Sequence, residues 1–326
     1  MSRKIINILL LVFLLFTMVG CQPDQNVVTS VPATAVYENT PTPTPLPARI
    51  ILYDPSNIVS GEVQAYLAEF SSSNTLSFET WTVFGNDLAN IKGIVLLGDL
   101  PNLLEISASN PGVQFVVLGA GEKAAGNNIS LIGVSPMDLA FMAGYLSMLT
   151  ATDWRAGGLV LDETGMGQAD AFDNGGKYLC GNCTPLYGPF LYYPAVQSLT
   201  SQSDIASWTA QAAYIVGPEV NANSIFIDRS GDDEEVLSQF SGQILYSNDP
   251  GSTHIDRYAA ILGYDFLPAL QTMLPEILSG QGGKSLIAKV SLMSVNNEIV
   301  SPGRQALFEK TAQDLAQGWI NPLSVP

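Results

Sequence analysis

The chain has 326 residues, 47% of them hydrophobic and only 13% charged, so it can bury a sizeable core. Thirty acidic residues face 13 basic ones, for a formal net charge of −17 with no basic cluster to offset it, which excludes nucleic acid as a partner and disfavours an anionic lipid surface. Three cysteines and one histidine exclude a disulfide-stapled scaffold and a Cys/His zinc centre.

Arg3 and Lys4 precede an apolar run from Ile5 to Val19, of signal-peptide length and short for a membrane span. The run ends in Met18-Val19-Gly20-Cys21, which resembles the lipobox of bacterial lipoproteins, with methionine where leucine is usual. The resemblance implies removal of residues 1–20, thioether lipidation of Cys21 and residence on the extracytoplasmic face of the cell membrane. An ordinary secretory signal or an N-terminal membrane helix is the plainer alternative. Residues 21–47 have no hydrophobic period, and Thr40 to Pro45 alternates threonine and proline. Such a segment favours polyproline II, about 3.1 Å per residue, and reads as a spacer between membrane and fold.

From Ala48 onward the pattern is repeated strand and helix. Arg49–Tyr53 reads as a strand, Gly61–Phe70 a helix, Leu76–Val83 and Ile91–Leu97 strands, Asn102–Ser109 a short helix and Val113–Leu118 a strand. The clearest unit follows: strand Ile129–Val134, helix Pro136–Thr150, strand Ala156–Asp162 and a second helix from about Gly167. Ser135 stands at the N-cap, Pro136 at the first helical position and Asp138 where the helix dipole favours an acid. Next come an aromatic-rich strand Gly188–Val196, helix Asp204–Ile215, strand Ser224–Asp228, helix Asp233–Phe240 and strand Gln243–Ser247. A long helix Tyr258–Leu278, a strand Ser285–Met293 and a helix opened by Ser301-Pro302 complete the chain. Alternating strand and helix predicts an open, mostly parallel sheet whose ligands lie beyond the carboxyl ends of the strands.

Three local patterns carry less than their spelling suggests. Gly119-Ala120-Gly121-Glu122-Lys123-Ala124 matches a dinucleotide fingerprint, but Gly126-Asn127-Asn128 ends any helix that could hold a pyrophosphate. The acids Asp232 to Glu235 lack calcium-loop spacing and suit the first turn of a helix. Cys180 and Cys183 fit a local disulfide, two free thiols or a redox pair alike.

Several passages in order resemble the basic membrane protein family, the PnrA-like substrate-binding lipoproteins of nucleoside-type ABC importers. They are Asn110-Pro111-Gly112-Val113-Gln114-Phe115, then Ala143-Gly144-Tyr145-Leu146, then Ala171-Phe172-Asp173-Asn174-Gly175-Gly176, then Leu274–Gly280, Glu298-Ile299-Val300-Ser301 and Gly318-Trp319-Ile320. The resemblance spans about Ala48 to Pro322 and implies an α/β type I periplasmic-binding-protein fold, two Rossmann-like lobes joined by three crossings. It maps lobe one to 48–134 plus 252–283 and lobe two to 135–251 plus 284–326. It implies closure of the lobes on a small polar ligand, a nucleoside or purine-like one, for delivery to an ABC permease.

Ligand contacts carried over by position are Asp54, Ser56 and Asn57 after the first strand, Phe172, Asp228 and Arg229, Asn248 and Asp249, and Arg257. The chain departs from the family where carboxylates grip a ribose: only Asp54, Ser56 and Asn57 remain of an Asp/Asn-rich motif, Gly119 replaces an aspartate, and Arg257 stands for a lysine. The reading is a monomeric binding protein with no cofactor, no metal and no catalysis, since no Ser-His-Asp order or metal spacing accompanies His254. A sensor or interaction lipoprotein on the same fold, with a degenerate site, is the alternative.

Overall fold

The computed structural model describes residues 47–57, 59, 61–85, 87–97, 100–120, 125–163, 165–249 and 251–324. The signal segment, Cys21 and nearly all of the tether lie outside these residues, as do Gly98, Asp99 and Gly121 to Ala124. Leu46–Pro326 clusters as a compact unit by itself.

Among the described residues, twelve strands divide evenly between two sheets. The first contains β1 (Arg49–Tyr53), β2 (Ser77–Trp81), β3 (Ile91–Leu97), β4 (Gln114–Ala120), β5 (Ile129–Gly133) and β11 (Ser285–Ile287), in the order β11-β5-β4-β3-β1-β2, all parallel. Helices α1 (Gly61–Ser73) and α2 (Leu103–Ser109) return the chain between its strands.

The second contains β6 (Ala156–Leu161), β7 (Ala195–Leu199), β8 (Ser224–Ile227), β9 (Ile244–Ser247), β10 (Ala260–Asp265) and β12 (Lys289–Val295), in the order β12-β10-β9-β8-β6-β7. Its neighbours are parallel except β12, which runs against β10. Helices α3 (Pro136–Thr150), α4 (Gln168–Cys180), α5 (Ile205–Val216), α6 (Glu234–Leu237) and the terminal α8 (Pro302–Ala316) flank it, while α7 (Leu267–Leu278) belongs to the first sheet. Strand runs such as Ile94-Val95-Leu96 and Ile225-Phe226-Ile227 are buried throughout, as expected of parallel strands covered on both faces.

Each sheet has a core on either side. In the first lobe Leu67, Leu270 and Met273 pack over Val116 on one face, and Leu103 with Phe115 and Val117 on the other. In the second lobe α3, α4 and α8 cover Val160 and Phe226, and Trp208 of α5 covers Leu159 and Ile227. The N-terminus of α3 is as expected: Ser135 Oγ accepts from the Asp138 N–H at 3.2 Å.

Three expected elements are corrected. Tyr258–Leu278 is not one helix: Ala260–Asp265 is strand β10, and α7 begins at Leu267, with Pro268 in its first turn. The expected boundary at 252 is therefore displaced, because β10 joins the second sheet. The expected strand Ser285–Met293 is two strands in two sheets, so residues 285–287 belong with lobe one and not with lobe two. The aromatic stretch before β7 is irregular, and the strand itself is Ala195–Leu199.

Candidate functional site

Among the described residues the chain passes between the sheets three times, each time at carboxyl ends of strands. The first passage leaves the end of β5 and enters α3, whose own far end leads to the start of β6, so the N-terminus of α3 lies at the carboxyl edge of the second sheet. The second leaves the end of β10 for α7, and the third runs from the end of β11 into β12, whose Lys289 pairs with Asp265. The carboxyl edges of both sheets are thereby held together, and the Tyr264 hydroxyl ties two passages by donating to Ser135 O at 3.0 Å. The cleft between those edges is the candidate site.

From the first lobe, the turn after β1 enters the cleft. Asp54 is fully buried there; its Oδ2 accepts from Val59 N–H at 2.9 Å and so shapes the turn. Ser56 and Asn57 are the exposed members, and Asn57 is in the left-handed region at φ 52°, which asparagine tolerates.

From the second lobe, β8 and β9 bring four expected residues into one network. Asn248 Oδ1 accepts from the Arg229 N–H at 2.6 Å, and its Nδ2 donates to Asp228 Oδ1 at 3.3 Å. Asp228 Oδ2 accepts from the Leu161 N–H at 3.3 Å, while Asp249 lies 4.0 Å from the largely exposed Arg229 guanidinium. Burial raises the Asp228 carboxyl above its usual pKa against the opposing pull of Asn248, the two backbone N–H groups and Arg229.

Two expected residues are elsewhere. Phe172 has no exposure: its ring stacks on Phe226 at 5.9 Å and fills the space over Gly158, where a Cβ would come within 2.5 Å of it. It is a core residue, corrected from a ligand contact. Arg257 lies toward the amino end of β9, donates to Leu237 O and Phe240 O, and pairs with Glu234 at 3.9 Å. It caps the end of α6 and is not brought to the cleft. Cys180 and Cys183 are joined as a disulfide, with Cα atoms 5.7 Å apart.

Three further groups stand at this edge, of which Asp138 is expected from sequence only as a helix-start acid. Asp162 follows β6, is buried, and its Oδ1 has no hydrogen-bond partner among the described residues. Asp138, in the first turn of α3, is held above its usual pKa by burial, partly offset by Ser135. Tyr264 is raised by burial and then by the nearby Asp138 and Asp228 charges. Asp162 was findable, since it ends an apolar strand where the parallel-sheet rule places ligands; Tyr264 was hidden inside the misread helix. Among the described residues no cluster of three or more His, Cys, Asp or Glu side chains could hold a metal, and no helix is long and apolar enough to cross a membrane.

No protein-family model matches this sequence, and a search of curated proteins finds no match. Solved structures do match over most of the chain. An ABC transporter solute-binding protein from Conexibacter woesei superposes with a TM-score of 0.57 at 14% identity, covering 84% of this chain and 98% of the other. A transcriptional activator of the comK gene from Bacillus halodurans gives 0.55 at 13%, covering 85% and 99%. A XylFII–LytSN complex gives 0.51 at 13%, covering 76% and 98%. Likeness at this identity is a likeness of fold. With two mostly parallel sheets, flanking helices and three passages between their carboxyl edges, the chain has the α/β fold of type I periplasmic binding proteins.

Proposed function

We propose that this chain is a lipid-anchored extracytoplasmic solute-binding protein of an ABC importer, which captures a small polar ligand by closing its two lobes and hands it to a permease. The observation that carries the reading is the cleft itself: three passages that can act as hinges, and one wall on which Asp228, Arg229, Asn248 and Asp249 converge. Lobe one is taken as 48–134 plus 266–287 and lobe two as 135–265 plus 288–324, following sheet membership. Carboxylates and an amide at strand ends accept hydrogen bonds from hydroxyl groups, which favours a nucleoside or purine-like ligand with its ribose on this wall. With Phe172 in the core, base stacking would need another ring. Cys21 would carry the anchor, and substituting it by alanine would release the protein from the membrane fraction.

The test is a thermal-shift screen of nucleosides, purines, sugars and carboxylic acids. A nucleoside at a hundred times its Kd stabilises by about 2.7 kcal/mol. Silence from every class would sink the binding reading. A second reading, a sensor or interaction lipoprotein with a degenerate site, is favoured by the removal of Phe172 and Arg257 from the cleft. Co-purification with a membrane sensor in place of a permease would support it.

A further inference from the structure

The segment between α4 and β7 lies at the amino edge of the second sheet, opposite the cleft, and it is pinned along its length. The Cys180–Cys183 disulfide closes its start, and Cys183 bridges to Tyr193, whose N–H donates to Cys183 O at 3.1 Å. The Tyr193 ring is buried and its hydroxyl donates to Val220 O. Arg155, only 6% exposed, donates through Nη2 to Tyr187 O at 2.6 Å and Gly188 O at 3.0 Å, and its Nε meets Asp153 at 3.4 Å. Asp153 in turn accepts from the Leu186 N–H at 2.7 Å.

The pinned loop holds apolar side chains in water. Leu186 is 80% exposed, Tyr187 75%, Phe190 72%, Tyr192 71% and Leu191 39%. From Tyr178 through Ser203 there is no Asp, Glu, Lys or Arg, the longest uncharged run in the chain. β7, which follows, is an edge strand free of charge and of proline, the devices that usually blunt an edge. A rigid, neutral, aromatic surface beside an open edge has the composition of an interface centre.

We propose that this loop, Leu186–Tyr192, is the contact of a symmetric dimer of this chain, made through the end of lobe two that faces away from the cleft. Two copies, each with a net charge of −17, repel across most approaches, and the uncharged run is where they meet without like charges opposed. A patch with no charge carries no code for a different partner, but it is complementary to itself across a two-fold axis. At roughly 150–250 Å² per aromatic side chain the exposed members offer about 600 Å² per copy, so about 1,200 Å² in a dimer, the lower end of specific interfaces. A lipid surface fits less well, because insertion loops are fringed by free cations; here Arg155 is buried in the clamp and Lys177 is paired with Asp173. The dimer replaces the monomer expected from sequence and leaves both clefts open.

The test uses Leu46–Pro326, which holds both sheets and all four cores. Sedimentation velocity from nanomolar to tens of micromolar should show twice the monomer mass at the upper end. The double variant Phe190→Ser/Tyr192→Ser, at exposed positions that leave the melting temperature unchanged, should raise the dimer Kd about a hundredfold. A monomer at every concentration overturns the proposal, as does a dimer that survives the double variant. Binding of a monomeric protein to zwitterionic vesicles, lost in the variant, also overturns it and assigns the loop to lipid.

Discussion

Gly144→Ala separates two opposing effects that the structure sets against each other. Helices α3 and α4 cross in contact at two reciprocal glycines: a Cβ on Gly144 would lie 1.9 Å from Phe172 O, and one on Gly175 would lie 1.8 Å from Phe141 O. Both obstacles are backbone, which cannot swing aside as a side chain can. Reaching an ordinary C···O separation of about 3.3 Å requires the helices to part by about 1.4 Å. Replacing a helical glycine by alanine is worth about 1 kcal/mol in favour of the fold when space allows. Overpacking costs about 1–3 kcal/mol, and a clash against backbone belongs at or above the top of that range. The net expectation is a loss of about 2 kcal/mol, a melting temperature lower by about 4–8 °C for a domain of this size. Gly303→Ala is the control: it sits in the first turn of α8 with nothing within 4 Å of the added carbon, so it should melt slightly higher than the parent. Differential scanning calorimetry on the three proteins decides it. A Gly144→Ala protein that melts at or above the parent would refute the close crossing and the site geometry that depends on it, since the N-termini of α3 and α4 border the cleft.

Asp228→Asn should weaken ligand binding while raising stability near neutral pH. The folded carboxyl is raised above 3.8 by burial, so its contribution is present below 3.8 and is lost as pH rises through the folded value; asparagine does not titrate. The melting-temperature gap between variant and parent should therefore widen from acid to neutral, and a constant gap would contradict it. Tyr246→Phe removes a buried hydroxyl that donates to Thr150 Oγ1 at 2.7 Å, at a cost of about 1 kcal/mol in denaturant titrations. The same hydroxyl is pushed from 10.0 up to about 12 by burial, so the parent loses stability as pH climbs from about 10 to 12 and the variant loses less. Ser135→Ala deletes the cap on Asp138 N–H and should cost about 1 kcal/mol of thermal stability, and no loss would mean that the cap does not hold the first passage.

The fold was legible where local chemistry and tertiary need agree. The β5–α3–β6 unit shows it: Ser135, Pro136 and Asp138 mark a helix start, and the flanking strands are apolar on both faces. It was illegible where an apolar run changes role without a turn signal. From Tyr258 to Leu278 apolar residues continue through the end of a strand into a helix, and only Asp265, which accepts from the Leu267 N–H at 3.0 Å, and Pro268 mark the new start. From Ser285 to Val295 the extended chain leaves one sheet for the other at Ala288, a change of partner that leaves no trace in a period of two. The residues at the ends of β8 and β9 came from the family likeness, and the parallel sheet brings them to one edge because its strand ends point the same way.

The placement of Phe172 shows what the family likeness rests on. Gly158 has no side chain, so the Phe172 ring can lie against β6; Gly144 and Gly175 let α3 and α4 approach backbone to backbone; Gly176 sits against Pro194. Gly144, Phe172, Gly175 and Gly176 lie within the two passages, Ala143–Leu146 and Ala171–Gly176, that carry the resemblance most visibly. They are packing residues, and the close crossing of the third and fourth helices in this chain depends on the glycines. The residues at the carboxyl edge of the second sheet, Asp228, Asn248, Asp249, Asp162 and Asp138, lie outside those passages. A close crossing of this kind argues for a fold and carries little about a solute. Asp162 is buried at this edge with an oxygen that has no hydrogen-bond partner among the described residues, and a buried carboxylate oxygen left so calls for a partner.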